Sequence, residues 1–264
     1  MFYFFIFFSL AIGAIIGSFT NCFIWRLHED ESLLGRSYCP LCRKKIHWYD
    51  NIPVISFFLL RGRCRSCGEK ISWQYPLVEV AMSLLFATAA FFAISGKIYS
   101  GYLFFDATTA LRLTRDWFFI FILLVVFVYD LRWYLIPDKV VLPAIVFIFI
   151  VNLFLGFSWW LLLLCGLVGA GFFAIQFIVS RGRWMGGGDI RLGLFFGVFF
   201  GRFNTLFLAI LLAYFIGSVI SLLLIAIGRK KWGSQVPLGV FLAPGAILAL
   251  FFGEKIISWY FGLI

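Results

Sequence analysis

The chain has 264 residues, of which 63% are hydrophobic and 21% aromatic, with a mean hydropathy of +1.03. Soluble domains draw about half of their residues from the apolar set, so a water-soluble globular protein is excluded. The formal net charge of +10 taken alone would suit nucleic acid, but its placement along the chain argues against that partner.

The first region, 1–25, is apolar with no Lys or Arg before Arg26. A cleavable signal peptide opens on basic residues, so this stretch is expected to be a retained transmembrane helix. The second region, 26–75, is polar, basic and cysteine-rich. In the third, 76–264, apolar runs recur near Pro76–Ser95, Trp117–Leu135, Val140–Gly156, Trp159–Val179, Ile190–Phe203, Thr205–Ile227 and Pro237–Phe261. A membrane span takes about 20 mostly apolar residues, so the sequence predicts an all-α, polytopic transmembrane helix bundle of about eight spans with a small cytosolic loop domain. The sixth run is the shortest. No internal repeat stands out, and Gly166, Gly169 and Gly171 are expected to let the fifth span pack closely.

Charge tests this topology. If 26–75 is cytosolic and the spans alternate, only Lys97, Arg112, Arg115, Arg202 and Lys255 of the 22 basic residues fall outside. That is a positive-inside distribution. The basic excess therefore serves orientation and contact with anionic membrane lipids, and no nucleic-acid partner is expected.

Cys39-x-x-Cys42 and Cys64-x-x-Cys67, separated by 21 residues, form a four-cysteine pattern with a spacer slightly longer than usual for zinc. In a reducing cytosol, four thiolates would hold a structural Zn²⁺ with no open position and fold a loop too small for its own core. His47 is the alternative ligand, and a pair of disulfides is the rival reading, disfavoured by a cytosolic setting. Cys22 and Cys165 lie in apolar runs as structural thiols.

Charge at membrane depth costs a few kcal/mol and needs a reason. Asp130 follows the apolar run Phe118–Tyr129, Asp189 follows Gly186-Gly187-Gly188, and Glu79 lies one turn into the second span. The alternating topology brings Asp130 and Asp189 to one membrane face on different helices. Two such carboxylates can share a proton, one activating water while the other hydrogen-bonds a scissile carbonyl. The glycines admit an extended substrate and tolerate the dihedrals that place Asp189 at a helix entrance. Taken singly, Asp130 could pair with Arg132, and Asp189 could be a helix N-cap. Glu79 is assigned a structural or auxiliary role, and Asp138, after Pro137, a cap on the fourth span.

The ordered set Gly17-Ser18-Phe19-Thr20-Asn21, Cys39-Pro40-Leu41-Cys42, Trp48 to Pro53, Leu60 to Cys64, Tyr75 to Glu79, Asp130-Leu131 with Ile136-Pro137-Asp138, and Gly186 to Leu192 resembles the prepilin peptidases, or type IV leader peptidases, over nearly the whole chain. The resemblance implies an intramembrane aspartyl protease with Asp130 and Asp189 catalytic, in a bacterial inner membrane. It further implies prepilin or pseudopilin substrates, cut just after a glycine on the cytosolic side to release a basic leader. Many members also methylate the new N-terminus with S-adenosylmethionine, and the four-cysteine loop accompanies that activity. Two positions depart from the family pattern: Arg191 stands for the common Lys, and Pro237-Leu238-Gly239-Val240 matches the usual Pro-Phe-Gly-Pro in part. An ion- or proton-coupled transporter is the alternative reading of intramembrane acids. It calls for mid-bilayer acids and related halves, and the sequence shows neither.

Overall fold

The computed structural model describes residues 2–98, 106–231 and 236–262. The start of the expected first span, at Met1, and the end of the third region, at 263–264, lie outside the described residues. The chain forms α1 (Phe2–His28), a 3-10 turn (Trp48–Asn51), α2 (Ile55–Leu59), α3 (Gln74–Ile98), α4 (Ala107–Trp133) and α5 (Asp138–Phe154). It continues with α6 (Trp159–Ser180), α7 (Gly187–Phe200), α8 (Phe203–Ala226) and α9 (Gly239–Gly262). The described residues hold no strand, only isolated bridges at Tyr38–Lys45 and Arg63–Lys70. This is an all-α membrane protein.

Five helices are long and apolar enough to cross a bilayer: α1, α3, α6, α8 and α9. The other three long helices sit on expected spans but fall short of that test. α4 carries Asp116, Asp130 and Arg132 among its apolar residues, and α5 has 17 residues. α7 has 14 residues, or about 21 Å at 1.5 Å per residue against a hydrocarbon core of about 30 Å. α4 also begins ten residues before the expected start at Trp117, because Arg112, Arg115 and Asp116 interrupt hydropathy without interrupting the helix.

The chain folds as two compact units, Met1–Val125 and Val126–Ile264. In the first, α1 and α3 meet backbone to backbone at Gly13 and Gly17. A Cβ at Gly13 would lie 2.6 Å from the Ser83 Cα, and one at Gly17 2.7 Å from the Glu79 Cα. Small residues let two helices approach this far and gain dispersion contacts and polar bonds. Here the Ser83 hydroxyl donates to the Leu10 carbonyl at 2.8 Å and the Asn21 amide to the Tyr75 carbonyl at 3.1 Å. Past the end of the expected first span, the buried Arg26 donates to the carbonyls of Ser32, Leu33, Gly35 and Arg36. Its guanidinium shapes the entry to the cysteine loop, a role that its place as the first basic residue after a span does not reveal.

In the second unit, α6 and α7 pack as tightly. A Cβ at Gly169 would lie 2.2 Å from the Gly193 carbonyl oxygen, and one at Gly197 2.1 Å from that of Cys165. Gly166 belongs to the same seam, but Gly171 has nothing within 4 Å of a Cβ, so its expected packing role is wrong: its face of α6 points away from α7. Asn152 of α5 donates to the carbonyls of Val198 and Phe199 at 2.7 and 3.2 Å, holding the short α7 from a second side. Gly197→Ala is expected to cost about 1–3 kcal/mol through overpacking. Gly171→Ala should be neutral, and thermal unfolding of the two variants in detergent checks the contrast.

Candidate active site

Asp130 lies on the last turn of α4 and Asp189 in the first turn of α7, each only 5% exposed. Both carboxylates are held by backbone N–H groups at helix N-termini, where unpaired donors and the positive end of the helix dipole favour a negative charge. The Val240 N–H, in the first turn of α9, donates to Asp130 Oδ2 at 3.3 Å. The Gly186 N–H donates to Asp189 Oδ2 at 3.0 Å. Asp189 is therefore the third residue of α7, reaching back to the cap at Gly186, and is not itself the N-cap. The two carboxylates lie within electrostatic reach of one another.

Glycines set these approaches. A Cβ on Gly239 would stand 2.7 Å from Asp130 Oδ2, and one on Gly188 2.8 Å from the Ile136 Cβ. The second contact joins the Gly-Gly-Gly-Asp run to the Ile136-Pro137-Asp138 turn that follows Asp130, so the two motifs are one packed junction. Gly186 caps α7 with φ −85° and ψ 161°, and Gly187 and Gly188 open the helix, so Asp189 stands at the helix entrance as expected. Gly188 is small to fit Ile136, and Gly187 has open space at its Cβ position. Gly239→Ala is expected to displace the Asp130 carboxylate; a shift near 1 Å at reacting groups costs about 10²-fold in rate. Cleavage kinetics at unchanged expression test this.

The neighbouring charges are arranged otherwise than the sequence suggested. Asp138 makes no cap bond, since Pro137 is the N-cap of α5. It forms an ion pair with Arg191 of α7. Arg191 thus serves the α5–α7 junction and is not the partner of Asp189. Arg132 lies over the Trp133 ring at 5.7 Å, and among the described residues no cation pairs with Asp130. In the first unit, buried Glu79 accepts the Val54 N–H at 2.7 Å, fastening the loop to α3 in a structural role. A residue missed altogether is Tyr214 of α8, whose hydroxyl donates to the side-chain Oε1 of Gln176 of α6 at 2.8 Å within the field of Asp189. One polar residue in each apolar run is too weak a signal to find that pair.

The four loop cysteines come together, with Sγ atoms all within 4.8 Å of one another and Cys39 to Cys67 at 3.9 Å. Tetrahedral zinc with Zn–S near 2.3 Å spaces its sulfurs at about 3.8 Å, so the donor set fits that ion. All six cysteines are free thiols. Each pair sits in a knuckle of one design. Cys39 N–H bonds the Lys44 carbonyl and Cys64 N–H that of Glu69, while Arg43 and Gly68 return N–H bonds to the first cysteine. Arg43 and Gly68 both adopt positive φ. The loop is a local repeat, hidden in the sequence because only the cysteines and a few neighbours match. Backbone N–H groups of Cys67 and Ser66 bring the Cys64 thiol down to about 7. Cys67 goes up to about 11 despite the Glu69 N–H, because it hydrogen-bonds Cys64. His47 stacks on Tyr49 at 5.1 Å and is not a member of the sulfur cluster.

A helical membrane protein with buried carboxylates at helix ends and a four-thiol loop belongs to a narrow class, and comparison with known proteins names it. Residues 11–93 match the Bacterial Peptidase A24 N-terminal domain, and residues 117–222 match the Type IV leader peptidase family. The chain is similar to a prepilin leader peptidase/N-methyltransferase of Bacillus subtilis (strain 168), 31% identical over 94% of both chains. A protein of the same name from Stutzerimonas stutzeri is 31% identical over 96% of this chain and 92% of its own. One from Pseudomonas putida is 29% identical over 96% and 92%. No solved structure matches. The chain belongs to the type IV leader peptidase family.

Proposed function

We propose that the chain is a bifunctional membrane enzyme that cleaves basic leaders from prepilins or pseudopilins and then methylates the new N-terminus. The observation that carries the peptidase reading is the pair Asp130 and Asp189. Both are buried, each is fixed by a backbone N–H at a helix N-terminus, and the two feel one another's charge. In this reading one ionised carboxylate takes a proton from water as it attacks the carbonyl of the leader's last glycine. The protonated partner hydrogen-bonds that carbonyl oxygen, and the proton passes on to the leaving amine. Open space beside Gly187 suits an extended peptide. The positive-inside pattern supports a cytosolic setting for the four-cysteine loop and both acids, and the family supports a bacterial inner membrane, where a basic leader is retained.

Cys39, Cys42, Cys64 and Cys67 would hold a structural Zn²⁺ that folds the loop. S-adenosylmethionine would supply the methyl group of the second reaction. The transporter reading gains nothing from the family to which the chain belongs.

A pair sharing one proton works only between its two macroscopic pKa values, so cleavage of a prepilin is expected to give a bell-shaped pH profile. Arg191→Met should leave both limbs in place, because its guanidinium is engaged by Asp138. A profile with a single limb would remove the shared proton from the mechanism.

A further inference from the structure

The segment from Ile52 to Trp73 exposes large apolar side chains that belong neither to the aspartate pair nor to the four-thiol cluster. Ile55, Phe58, Leu59 and Trp73 are each more than half exposed, and Ile52 and Trp48 are exposed beside them. Phe57 alone of α2 turns inward, its ring 4.9 Å from that of Trp73, so α2 has one seated face and one bare face. Bare apolar surface of this kind marks a binding site in a protein that is otherwise stable.

The depth of α2 says what covers it. Val54, the residue before α2, donates its N–H to the Glu79 carboxylate at 2.7 Å. Glu79 lies five residues inside α3, which starts at Gln74 and qualifies as a membrane-crossing helix. At 1.5 Å per residue the start of α2 is therefore tethered about 7.5 Å along α3 from its first residue. The bare side chains are continuous in sequence with Leu77, Val80 and Leu84, which are exposed on α3. The charge is one-sided: from Asn51 to Gly68 there is no acid, while Arg61, Arg63 and Arg65 are present. Arg65 is taken up by Asp50 at 2.7 Å, and Arg61 and Arg63 are exposed. An apolar face beside arginines, held at this depth, has the chemistry of an element lying in the plane of a bilayer surface.

We propose that α2 and Trp73 insert into the boundary between headgroups and acyl chains, with Arg61 and Arg63 binding anionic phospholipid. The patch seats the cysteine loop against the bilayer. Such a contact gathers affinity from apolar burial and from attraction to anionic headgroups together.

The test uses the full chain in nanodiscs of phosphatidylcholine with phosphatidylglycerol, carrying the photo-crosslinking residue p-benzoylphenylalanine in place of Phe58 or Leu59. Leu84, exposed on α3, serves as the lipid-facing reference and Glu69, exposed in the second knuckle, as the aqueous one. Mass spectrometry of the irradiated protein should show phospholipid adducts at Phe58 and Leu59 at a yield close to that at Leu84. Phosphatidylglycerol should be enriched among them, and Arg61→Gln with Arg63→Gln should lower that enrichment several-fold. Yields no higher than at Glu69 would overturn the insertion, as would crosslinks to a second copy of the chain. Unchanged lipid preference in the double variant would overturn the role of the arginines.

Discussion

Asp130→Asn and Asp189→Asn are each expected to abolish leader cleavage, since removing a group that transfers a proton in the transition state costs about 10²–10⁴-fold. The geometry makes this a clean experiment. An Asn side chain retains a carbonyl oxygen, so the bonds from the Val240 and Gly186 N–H groups can persist, and expression and metal content should be normal. What is lost is the ionisable proton. Asp138→Asn is the matched control: its ion pair with Arg191 is well exposed on both sides, and such pairs contribute about 0–1 kcal/mol. That variant should keep its cleavage rate. A prepilin cleavage assay in detergent decides among the three, and near-normal turnover in either of the first two would remove that residue from the dyad.

The second large effect concerns the cysteine loop. Purified protein should carry one Zn²⁺, and Cys39→Ser or Cys64→Ser should lose it, because removing one of four thiolates breaks a closed tetrahedral site. The knuckles have few apolar contacts of their own, so metal loss should unfold the loop, seen as rapid amide exchange over residues 36–70. Acid should do the same. Only deprotonated thiols ligate the ion, so as pH falls protons compete with it for Cys39, Cys42, Cys64 and Cys67 and metal affinity drops. Elemental analysis across pH 5–8 follows this, and a metal-free, disulfide-bonded loop at neutral pH would contradict it. Cleavage should suffer less than in the aspartate variants, since both acids lie in the other unit.

Much of this was legible in the sequence, for identifiable physical reasons. Apolar runs located the long helices found among the described residues, and the cost of a buried charge singled out Asp130, Asp189 and Glu79, because few charged residues survive in a membrane segment without a purpose. The start of α4 at Ala107 was missed, since hydropathy measures partition and not helicity. Cysteine spacing announced the loop, while the repeat within it is carried by backbone bonds that leave almost no mark on side-chain identity.

Partners were harder than places. Asp138, Arg132 and Arg191 all lie within a few residues of the two acids, so the sequence offered several pairings of equal merit. Backbone geometry then chose: Arg191 faces Asp138, and Arg132 faces Trp133. The partial match at Pro237-Leu238-Gly239-Val240 marked the start of α9 without naming its partner. Gly239 and Val240 act on Asp130 through absence of a side chain and through a backbone N–H, about 110 residues away in the chain.

The most direct test incubates the purified protein in detergent with a prepilin, with and without S-adenosylmethionine, and measures the product N-terminus by mass spectrometry. The product should be a mature pilin beginning just after the leader glycine in both samples, heavier by one methyl group only when S-adenosylmethionine is present, and Asp189→Asn should leave the prepilin uncut. Intact prepilin with the wild-type protein, or equal cleavage by the Asp189→Asn variant, would contradict it.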